Sequence, residues 1–302
     1  MSSQRRHGHS MGSSASGAAP SASTWATPAN GPPEWPPGVP PACREAIDGL
    51  LAVLLAPRCV VCEELLDHPS SDLVCPRCWC RLAVFTPPVC ESCGLPVLRA
   101  RLCGPCHAGR FFTHIARLRT LGPYEGTLRR ILHAFKYDSR RTLATRLGPL
   151  LQAHSADVLE GAHLVVPVPL HAARLRERGF NQAADLASTL PLPHMDVLAR
   201  VVATRSQTGL SAEQRRRNLR GAFDLRRKTS LLGFARRSPM DTLASRVVRD
   251  HVVVLVDDVC TTGATLEACA RVLLQAGARE VRALTVARAL LSKGDRGDRV
   301  TR

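Results

Sequence analysis

The stretch of sequence that decides the fold is Val-Val-Val-Leu-Val-Asp-Asp-Val-Cys-Thr-Thr-Gly-Ala-Thr, at residues 252–265. The run from Val252 to Val256 has no polar alternation, which predicts a strand buried on both faces. Asp257 and Asp258 follow at its carboxyl end, where open α/β sheets bind ligands. A turn rich in threonine then opens an amphipathic helix. We therefore expect a strand–turn–helix unit with a ligand site at the turn.

The turn offers hydroxyls and successive backbone N–H groups at a helix N-terminus, where the helix dipole favours an anion. Its residues are Thr261, Thr262, Gly263, Ala264 and Thr265. The two aspartates repel a phosphate, but they can accept hydrogen bonds from ribose hydroxyls and help to place a divalent cation. The segment therefore offers acceptors for a sugar at the aspartates and donors for a phosphate at the turn. This combination indicates a phosphorylated ribose as the ligand.

This pattern lacks the spacing of a P-loop and that of the dinucleotide-binding glycine motif. It resembles the phosphoribosyl-pyrophosphate (PRPP) binding motif of type I phosphoribosyltransferases. The alternative is a buried strand, a polar turn and a helix that bind nothing. The following helix carries Leu266, Ala270, Leu273 and Leu274 on one face and has Gly277 as its expected C-cap, and residues 281–287 are predicted as the next buried strand.

Composition limits the function classes. The 302 residues are 45% hydrophobic and 22% charged, which is enough to bury a core in one large domain or two smaller ones. The sequence has neither a span of about 20 apolar residues nor the apolar segment of a signal peptide, so we expect a cytoplasmic protein. The net charge of +16 suits anionic partners. An arginine-rich coding bias is the alternative explanation for that charge.

Composition also shifts along the chain. We predict a disordered tail rich in Ser, Gly, Ala and Pro, a cysteine-rich metal-binding module led by a helix at residues 44–55, a domain of alternating strands and helices with a mainly parallel sheet, a loop insertion inside that domain, and a charged tail. The disordered tail covers residues 1–41, the metal-binding module 42–109 and the domain with the parallel sheet 110–291. The loop insertion covers 227–250 and the charged tail 292–302.

Within the larger domain, apolar periodicity predicts a helix from Gly126 to Tyr137 and a second helix capped by Ser139. Residues 164–168 are predicted as a strand and residues 180–190 as a helix. These segments alternate as expected for βα units.

Ten of the 12 cysteines lie between residues 43 and 106, and eight of them form four C-x-x-C pairs. The pairs are Cys59/Cys62, Cys75/Cys78, Cys90/Cys93 and Cys103/Cys106. Two such pairs supply a tetrahedral zinc site, so four pairs supply two sites. Disulfides and an iron–sulfur cluster are the alternatives, and structural zinc is favoured in a cytoplasmic chain. The spacing fits consecutive and interleaved pairing equally, and leaves Cys43 and Cys80 without a ligand role.

A second anion site is expected where residues 165–171 end a strand and an arginine-rich loop leads into a helix. Arg178 and Gly179 of this loop are its candidate phosphate-binding residues, and a solvated basic loop is the alternative. Lys136 is a further candidate phosphate contact. Residues 207–223, polar and basic, are interpreted as a mobile lid over phosphates or as a surface helix.

Several further motifs occur in order after the four cysteine pairs. They are Gly122-Pro123-Tyr124-Glu125-Gly126, Phe135-Lys136-Tyr137, Val166-Pro167-Val168-Pro169-Leu170-His171, Arg176-Glu177-Arg178-Gly179-Phe180-Asn181-Gln182, Gly209-Leu210-Ser211 and Arg215-Arg216-Arg217-Asn218-Leu219-Arg220-Gly221-Ala222-Phe223, followed by Val256-Asp257-Asp258. Together they resemble the ComF family, the ComFC/GntX-type phosphoribosyltransferase-like proteins of bacteria. The resemblance covers about residues 50–290.

The resemblance implies a type I phosphoribosyltransferase fold with an N-terminal zinc finger, and a link to DNA uptake in natural competence. Enzymes of this type displace pyrophosphate from PRPP–Mg²⁺ with a nitrogen nucleophile, so Asp257 and Asp258 become candidate catalytic residues of a pentosyl transferase. The alternative function is a non-catalytic accessory protein of competence or repair that keeps the fold and binds single-stranded DNA or DNA-uptake proteins. Trp79, Phe111 and Phe112 would then stack on bases.

Overall fold

The computed structural model describes residues 40–202, 219, 221–226 and 243–290, except 71, 100, 110 and 139. Residues 1–39 of the predicted tail at 1–41, the predicted tail at 292–302 and most of the predicted lid and insertion lie outside this part of the chain. Within it, no helix is long and apolar enough to cross a membrane.

A parallel four-stranded sheet organises the larger domain, in the order β1-β6-β5-β2. Its strands are β1 (Arg117–Pro123), β2 (Leu164–Pro167), β5 (Val252–Cys260) and β6 (Glu280–Arg288). A small antiparallel pair, β3 (Leu198–Arg200) and β4 (Phe223–Leu225), lies outside this sheet. The predicted α/β fold with a parallel sheet is confirmed.

The helices flank the sheet or belong to the cysteine module. They are α1 (Pro41–Leu55), α2 (Pro76–Cys80), α3 (Gly104–His107), α4 (Gly126–Tyr137), α5 (Leu143–Ala153), α6 (Ala156–Leu159), α7 (Ala172–Arg178), α8 (Gln182–Ala187), α9 (Leu243–Val248) and α10 (Ala264–Gln275).

Two apolar clusters form the core, one on each face of the sheet. The first contains α4, α5 and α8 residues such as Leu128 and Leu147, and the second contains α10 residues such as Leu266 and Leu273. Buried Leu, Ile and Val side chains provide most of the folding free energy in such layers. Both clusters meet at β5, whose first five residues, Val252 to Val256, are all buried.

Some element boundaries differ from the sequence predictions. Strand β5 runs to Cys260, because β6 continues to pair with it after β2 has ended. Helix α8 is shorter than the predicted 180–190, since the Asn181 side chain caps its N-terminus by accepting from the Ala183 N–H. Helix α9 lies inside the predicted 227–250 loop and buries Ala244 and Val248. A loop was therefore the wrong prediction for residues 243–248.

The cysteine module covers the outer edge of β1. The Phe85 N–H donates to the Leu121 carbonyl at 2.8 Å, and the Leu118 N–H donates to the Ser92 carbonyl at 2.7 Å. A Cβ at Gly122 would collide with the Ala83 carbonyl, so the two backbones approach closely there. The module thereby protects an edge strand that would otherwise be open to pairing.

Candidate functional site

The eight paired cysteines form two separate four-sulfur sets. In each set all the sulfur atoms lie within 4.8 Å of one another. Consecutive pairs combine, so that of the two arrangements compatible with the spacing the structure has the consecutive one. We call the set of Cys59, Cys62, Cys75 and Cys78 the first ribbon, and the set of Cys90, Cys93, Cys103 and Cys106 the second ribbon.

The donor sets fit a thiolate-binding metal. Burial opposes ionisation of Cys59, but backbone N–H groups of Cys62 and Cys75 outweigh it and lower the pKa of that thiol to about 7. Equivalent N–H groups of Cys93 and Cys103 lower the pKa of Cys90 to about 7. Preorganised N–H groups directed at sulfur stabilise thiolates, which are the form that binds zinc.

The two aspartates lie at the step between strands of unequal length. Strand β2 pairs with β5 only as far as Pro167 with Val256, and Asp257 is the next residue of β5. On the other side, β6 continues to pair, with Asp257 opposite Thr285 and with Cys260 opposite the end of β6. The acids therefore lie at the carboxyl ends of the strands, beside the point where β2 stops. Open α/β sheets bind ligands in the crevice outside these strand ends, so we call this place the strand-end crevice.

Lys136 neutralises part of this acidic pair. Its Nζ atom lies 3.0 Å from Asp258 Oδ1, and both side chains are largely buried. The Asp258 N–H donates to Asp257 Oδ1 at 2.9 Å. Burial and the charge of Asp258 raise the pKa of Asp257 to about 7, and Lys136 offsets only part of that effect. The crevice thus holds one ion-paired carboxylate and one carboxyl that titrates near neutral pH.

The 261–265 turn follows the acids and opens α10. Gly263 is the N-cap residue with φ +76°, a left-handed conformation that favours glycine. The Ala264 N–H donates to Thr262 Oγ1 at 3.4 Å. The first turn of a helix carries N–H groups without intrahelical partners, which together with the helix dipole favour an anion. This geometry suits the phosphate role predicted for the turn.

An aromatic side chain packs on the turn from outside. A Cβ at Gly263 would stand 2.6 Å from Cε1 of Phe112. The next residues are fixed to α10 as well, because the N–H groups of Thr113 and His114 both donate to Glu267 Oε1 at 3.0 Å. No local sequence pattern signals this role of Phe112 and Glu267, since the contact joins segments about 150 residues apart.

The other predicted phosphate-binding residues lie close to the end of α4. Arg178 places its guanidinium 5.1 Å from the ring centroid of Tyr137, the residue after Lys136. It also donates to Gln182 Oε1 at 3.2 Å. Gly179 caps α7 with φ +76°. The structure thus brings Lys136 to the acids and Arg178 to the neighbouring surface.

Arg200 is a charged residue of this region that no motif in the sequence indicates. Burial and the charge of Arg174 lower its pKa, and the charge of Asp257 works in the opposite direction. Its guanidinium lies 5.4 Å from the ring centroid of Phe223. The short strands β3 and β4 that bring these residues together are three residues each, too short for a periodic pattern to reveal.

The aromatic residues considered for base stacking are packed against protein groups. Trp79 donates its indole N–H to Asp72 Oδ2 at 2.9 Å and lies under Arg146. Phe111 and Phe112 pack edge to face at 4.6 Å. These contacts give all three rings a structural role.

The chain is similar to bacterial proteins over most of its length. The chain is 30% identical to Competence protein F of Haemophilus influenzae over 243 residues, which are 77% of this chain and 97% of that protein. The chain belongs to the ComF family. It is also 32% identical over 215 residues to DNA utilization protein YhgH of Escherichia coli O157:H7, covering 67% of this chain and 85% of that protein.

A third relative of this ComF-family chain is Competence protein ComFC of Bacillus subtilis, 29% identical over 212 residues, which cover 68% of this chain and 80% of that protein. Residues 50–107 match the family model of the double zinc ribbon domain. Residues 175–300 match that of the phosphoribosyl transferase domain. The cysteine module is therefore a double zinc ribbon, which supports structural zinc, and the parallel sheet belongs to a phosphoribosyl transferase domain.

Proposed function

We propose that this ComF-family protein binds PRPP with Mg²⁺ at the end of β5 and transfers its 5-phosphoribosyl group to a nitrogen nucleophile. The observation that carries the proposal is the placement of Asp257 and Asp258 in the strand-end crevice, directly before the 261–265 turn. A phosphorylated ribose needs hydrogen-bond acceptors for its hydroxyls and donors for its 5′-phosphate. The two groups stand side by side in the required order.

Each part of the site has a role in this reaction. The aspartates accept hydrogen bonds from the ribose 2′- and 3′-hydroxyls, and the N–H groups and hydroxyls of Thr261 to Thr265 bind the 5′-phosphate. In the reaction the bond from ribose C1 to the pyrophosphate oxygen breaks, and its electron pair leaves with the pyrophosphate. A bond from C1 to the nucleophile nitrogen forms, and the proton of that nitrogen passes to solvent. Mg²⁺ bound with PRPP would supply charge neutralisation for the pyrophosphate. Positioning and charge stabilisation account for catalysis of this kind.

Lys136 and Arg178 supply positive charge on the side of the crevice formed by α4 and α7. In the free protein Lys136 pairs with Asp258 at 3.0 Å. We propose that an anionic ligand competes for this ammonium group, so that Asp258 is released to the ribose. Arg178 and Gly179 at the end of α7 provide a further anion contact in the same proposal.

We also propose that each of the eight cysteines in the two ribbons is a zinc ligand. Each ribbon then holds one zinc ion in a closed four-sulfur site. A closed site of this type is structural rather than catalytic.

Calorimetric titration of the zinc-loaded full chain with PRPP–Mg²⁺ tests the ligand proposal. Replacing Asp257 and Asp258 together by Asn should weaken binding by about 1–3 kcal/mol, since hydrogen bonds to ligand hydroxyls are lost. Asp250→Asn is the matched control, because Asp250 precedes the opposite end of β5. Asparagine also tolerates its positive φ of +59°. Wild type without measurable affinity at millimolar PRPP–Mg²⁺ contradicts the proposal.

A second candidate function is binding of single-stranded DNA, with or without catalysis. The net charge of +16 and the relatives named for competence and DNA utilization favour it. Titration with a single-stranded oligonucleotide at two salt concentrations measures this activity, because phosphate contacts make affinity fall with salt. Salt-sensitive binding that PRPP–Mg²⁺ does not displace would place DNA outside the strand-end crevice.

A further inference from the structure

The structure contains a continuous path of contacts from the second ribbon to the 261–265 turn. Arg288, the last residue of β6, is its centre and is only 2% exposed. A buried guanidinium is costly unless its charge and its N–H groups have partners. The partners of Arg288 should therefore explain why a charged residue is buried at this end of the strand.

One partner of Arg288 belongs to the second ribbon. Its Nη1 donates to the carbonyl of Cys93 at 2.6 Å. That carbonyl is held by the knuckle itself, since the next N–H, of Gly94, donates to the Cys90 carbonyl at 2.9 Å. Gly94 has φ +70°, and a Cβ there would stand 2.7 Å from the Leu118 carbonyl. The direction of the Cys93 carbonyl therefore depends on the geometry of the metal-binding loop.

The other partner of Arg288 leads to the turn. Its guanidinium lies 4.5 Å from the ring centroid of Phe111, a cation–π distance. Phe111 packs edge to face on Phe112 at 4.6 Å. Phe112 in turn packs on Gly263, where an added Cβ would collide with its ring.

Strand pairing gives the same arginine a second connection to the site. Arg288 is the register partner of Cys260, the last residue of β5 before the turn. The Ala289 N–H also donates to the Cys260 carbonyl at 2.9 Å. The strand end that starts the turn thus pairs with the same residue that contacts the second ribbon.

The first ribbon is placed differently. Its segment contacts α4 and α5, through a hydrogen bond from Arg130 to the Val61 carbonyl and an ion pair between Arg146 and Asp72 at 2.8 Å. Both arginines lie on helices of the core cluster on the face of the sheet opposite α10, although α4 also carries Lys136, the partner of Asp258. Arginines thus join both ribbons to the larger domain, and the contacts that lead to the 261–265 turn itself start from the second ribbon.

We infer that the second ribbon positions the phosphate-binding turn through Arg288, Phe111 and Phe112, so that metal loading of this ribbon and anion binding at the turn are coupled. Arg288 is a positioning residue in this arrangement. The coupling to a ligand rests on the proposed function. Coupled sites typically change each other's affinity by about five- to 150-fold, and the effect is reciprocal.

The test compares Arg288→Met with Arg146→Met, each as zinc-loaded full chain. Arg146→Met is the matched control, because it removes an arginine that joins the first ribbon to the larger domain. Amide hydrogen exchange of residues 261–267 is measured without ligand, and PRPP–Mg²⁺ affinity is measured by calorimetry. We expect faster exchange at the turn and affinity lower by about tenfold or more for Arg288→Met, with both zinc ions retained and with neither change in the control.

Unchanged exchange and unchanged affinity in Arg288→Met would overturn the inference, as would equal effects of the two substitutions. Phe112→Leu is the second variant if Arg288→Met fails to fold, and it should show the same faster exchange with Arg288 in place. If wild type does not bind PRPP–Mg²⁺, the proposed function fails. The exchange measurement still decides whether the second ribbon positions the turn.

Discussion

At the scale of single residues, Asp257 sets up a conflict between folding and ligand binding. Its pKa is raised to about 7 in the folded protein by burial and by Asp258. The unfolded chain has the ordinary value of about 3.9. At a pH between these two pKa values, Asp257 is protonated in the folded state and ionised in the unfolded state. The contribution of Asp257 to stability is therefore lost as pH rises toward 7 and stays lost above it.

Asp257→Asn should accordingly stabilise the free protein at pH 8. We expect the free energy of unfolding to rise by about 1–2 kcal/mol. The rise is smaller than the raised pKa of Asp257 implies, because this side chain keeps part of its surface in water. The gain should shrink below pH 7 and vanish near pH 4. Urea unfolding at several pH values measures it, with Asp250→Asn as the control. A loss of stability at pH 8 in Asp257→Asn would show that the carboxylate is well paired.

Ligand affinity should respond to pH through the same group. A protonated Asp257 has lost acceptor capacity for a ribose hydroxyl, so affinity for PRPP–Mg²⁺ should rise with pH up to about 7 and then level off. The phosphate groups of the ligand titrate as well, and they do so equally for every variant. Calorimetry of wild type and of Asp257→Asn over the same pH range isolates the carboxyl. Parallel pH profiles for the two proteins would exclude Asp257 as the titrating contact.

At the scale of elements, the 261–265 turn needs glycine at position 263 for two reasons, its backbone conformation and its contact with Phe112. Gly263 has φ +76°, and a Cβ would stand 2.6 Å from Phe112. Gly161 has φ +66° with open space around it, so Gly161→Ala measures the backbone cost alone, about 1–2 kcal/mol. Gly263→Ala should cost about 2–4 kcal/mol in urea unfolding because Phe112 must also move. It should also weaken PRPP–Mg²⁺ binding. Equal losses for the two substitutions would mean that Phe112 does not brace the turn.

The elements also show which parts of the fold the sequence could predict. Helix α4 has the predicted bounds, because its apolar residues recur on one face and its neighbours are polar. Strand β1 was missed, since Arg117, Arg119 and Thr120 interrupt its apolar residues although most of the strand is buried. Thr120 is satisfied by Thr285 at 2.8 Å on β6, a pairing that only the sheet register creates.

The candidate site also has a part that the sequence predicts and a part that only the fold shows. Asp257, Asp258 and the 261–265 turn are contiguous, so local sequence was sufficient to identify them. Lys136 comes from another helix, and only the fold shows that it pairs with Asp258. Arg200 reaches the region from a three-residue strand. Contacts of long sequence separation carry no local pattern, and they account for the parts of the site that were missed.

At the scale of the whole molecule, the first ribbon is part of the main core. Its buried Val61, Leu66 and Val74 belong to the same apolar cluster as Leu128 and Phe135 of α4. A small module of this kind draws much of its folding free energy from metal. Because the core is shared, loss of the metal should affect the larger domain too.

Cys75→Ser tests this unity of the fold. The variant should bind one zinc ion where wild type should bind two, and its free energy of unfolding should fall by more than about 3 kcal/mol, as for other losses of a structural metal. Cys80→Ser is the control, since Cys80 is exposed and belongs to neither ribbon. Elemental analysis and calorimetric unfolding measure both effects. We expect a single transition at lower temperature for Cys75→Ser, because packing between the first ribbon and α4 joins the two parts into one cooperative unit. A separate early transition followed by melting at the wild-type temperature would instead show that the ribbon unfolds alone.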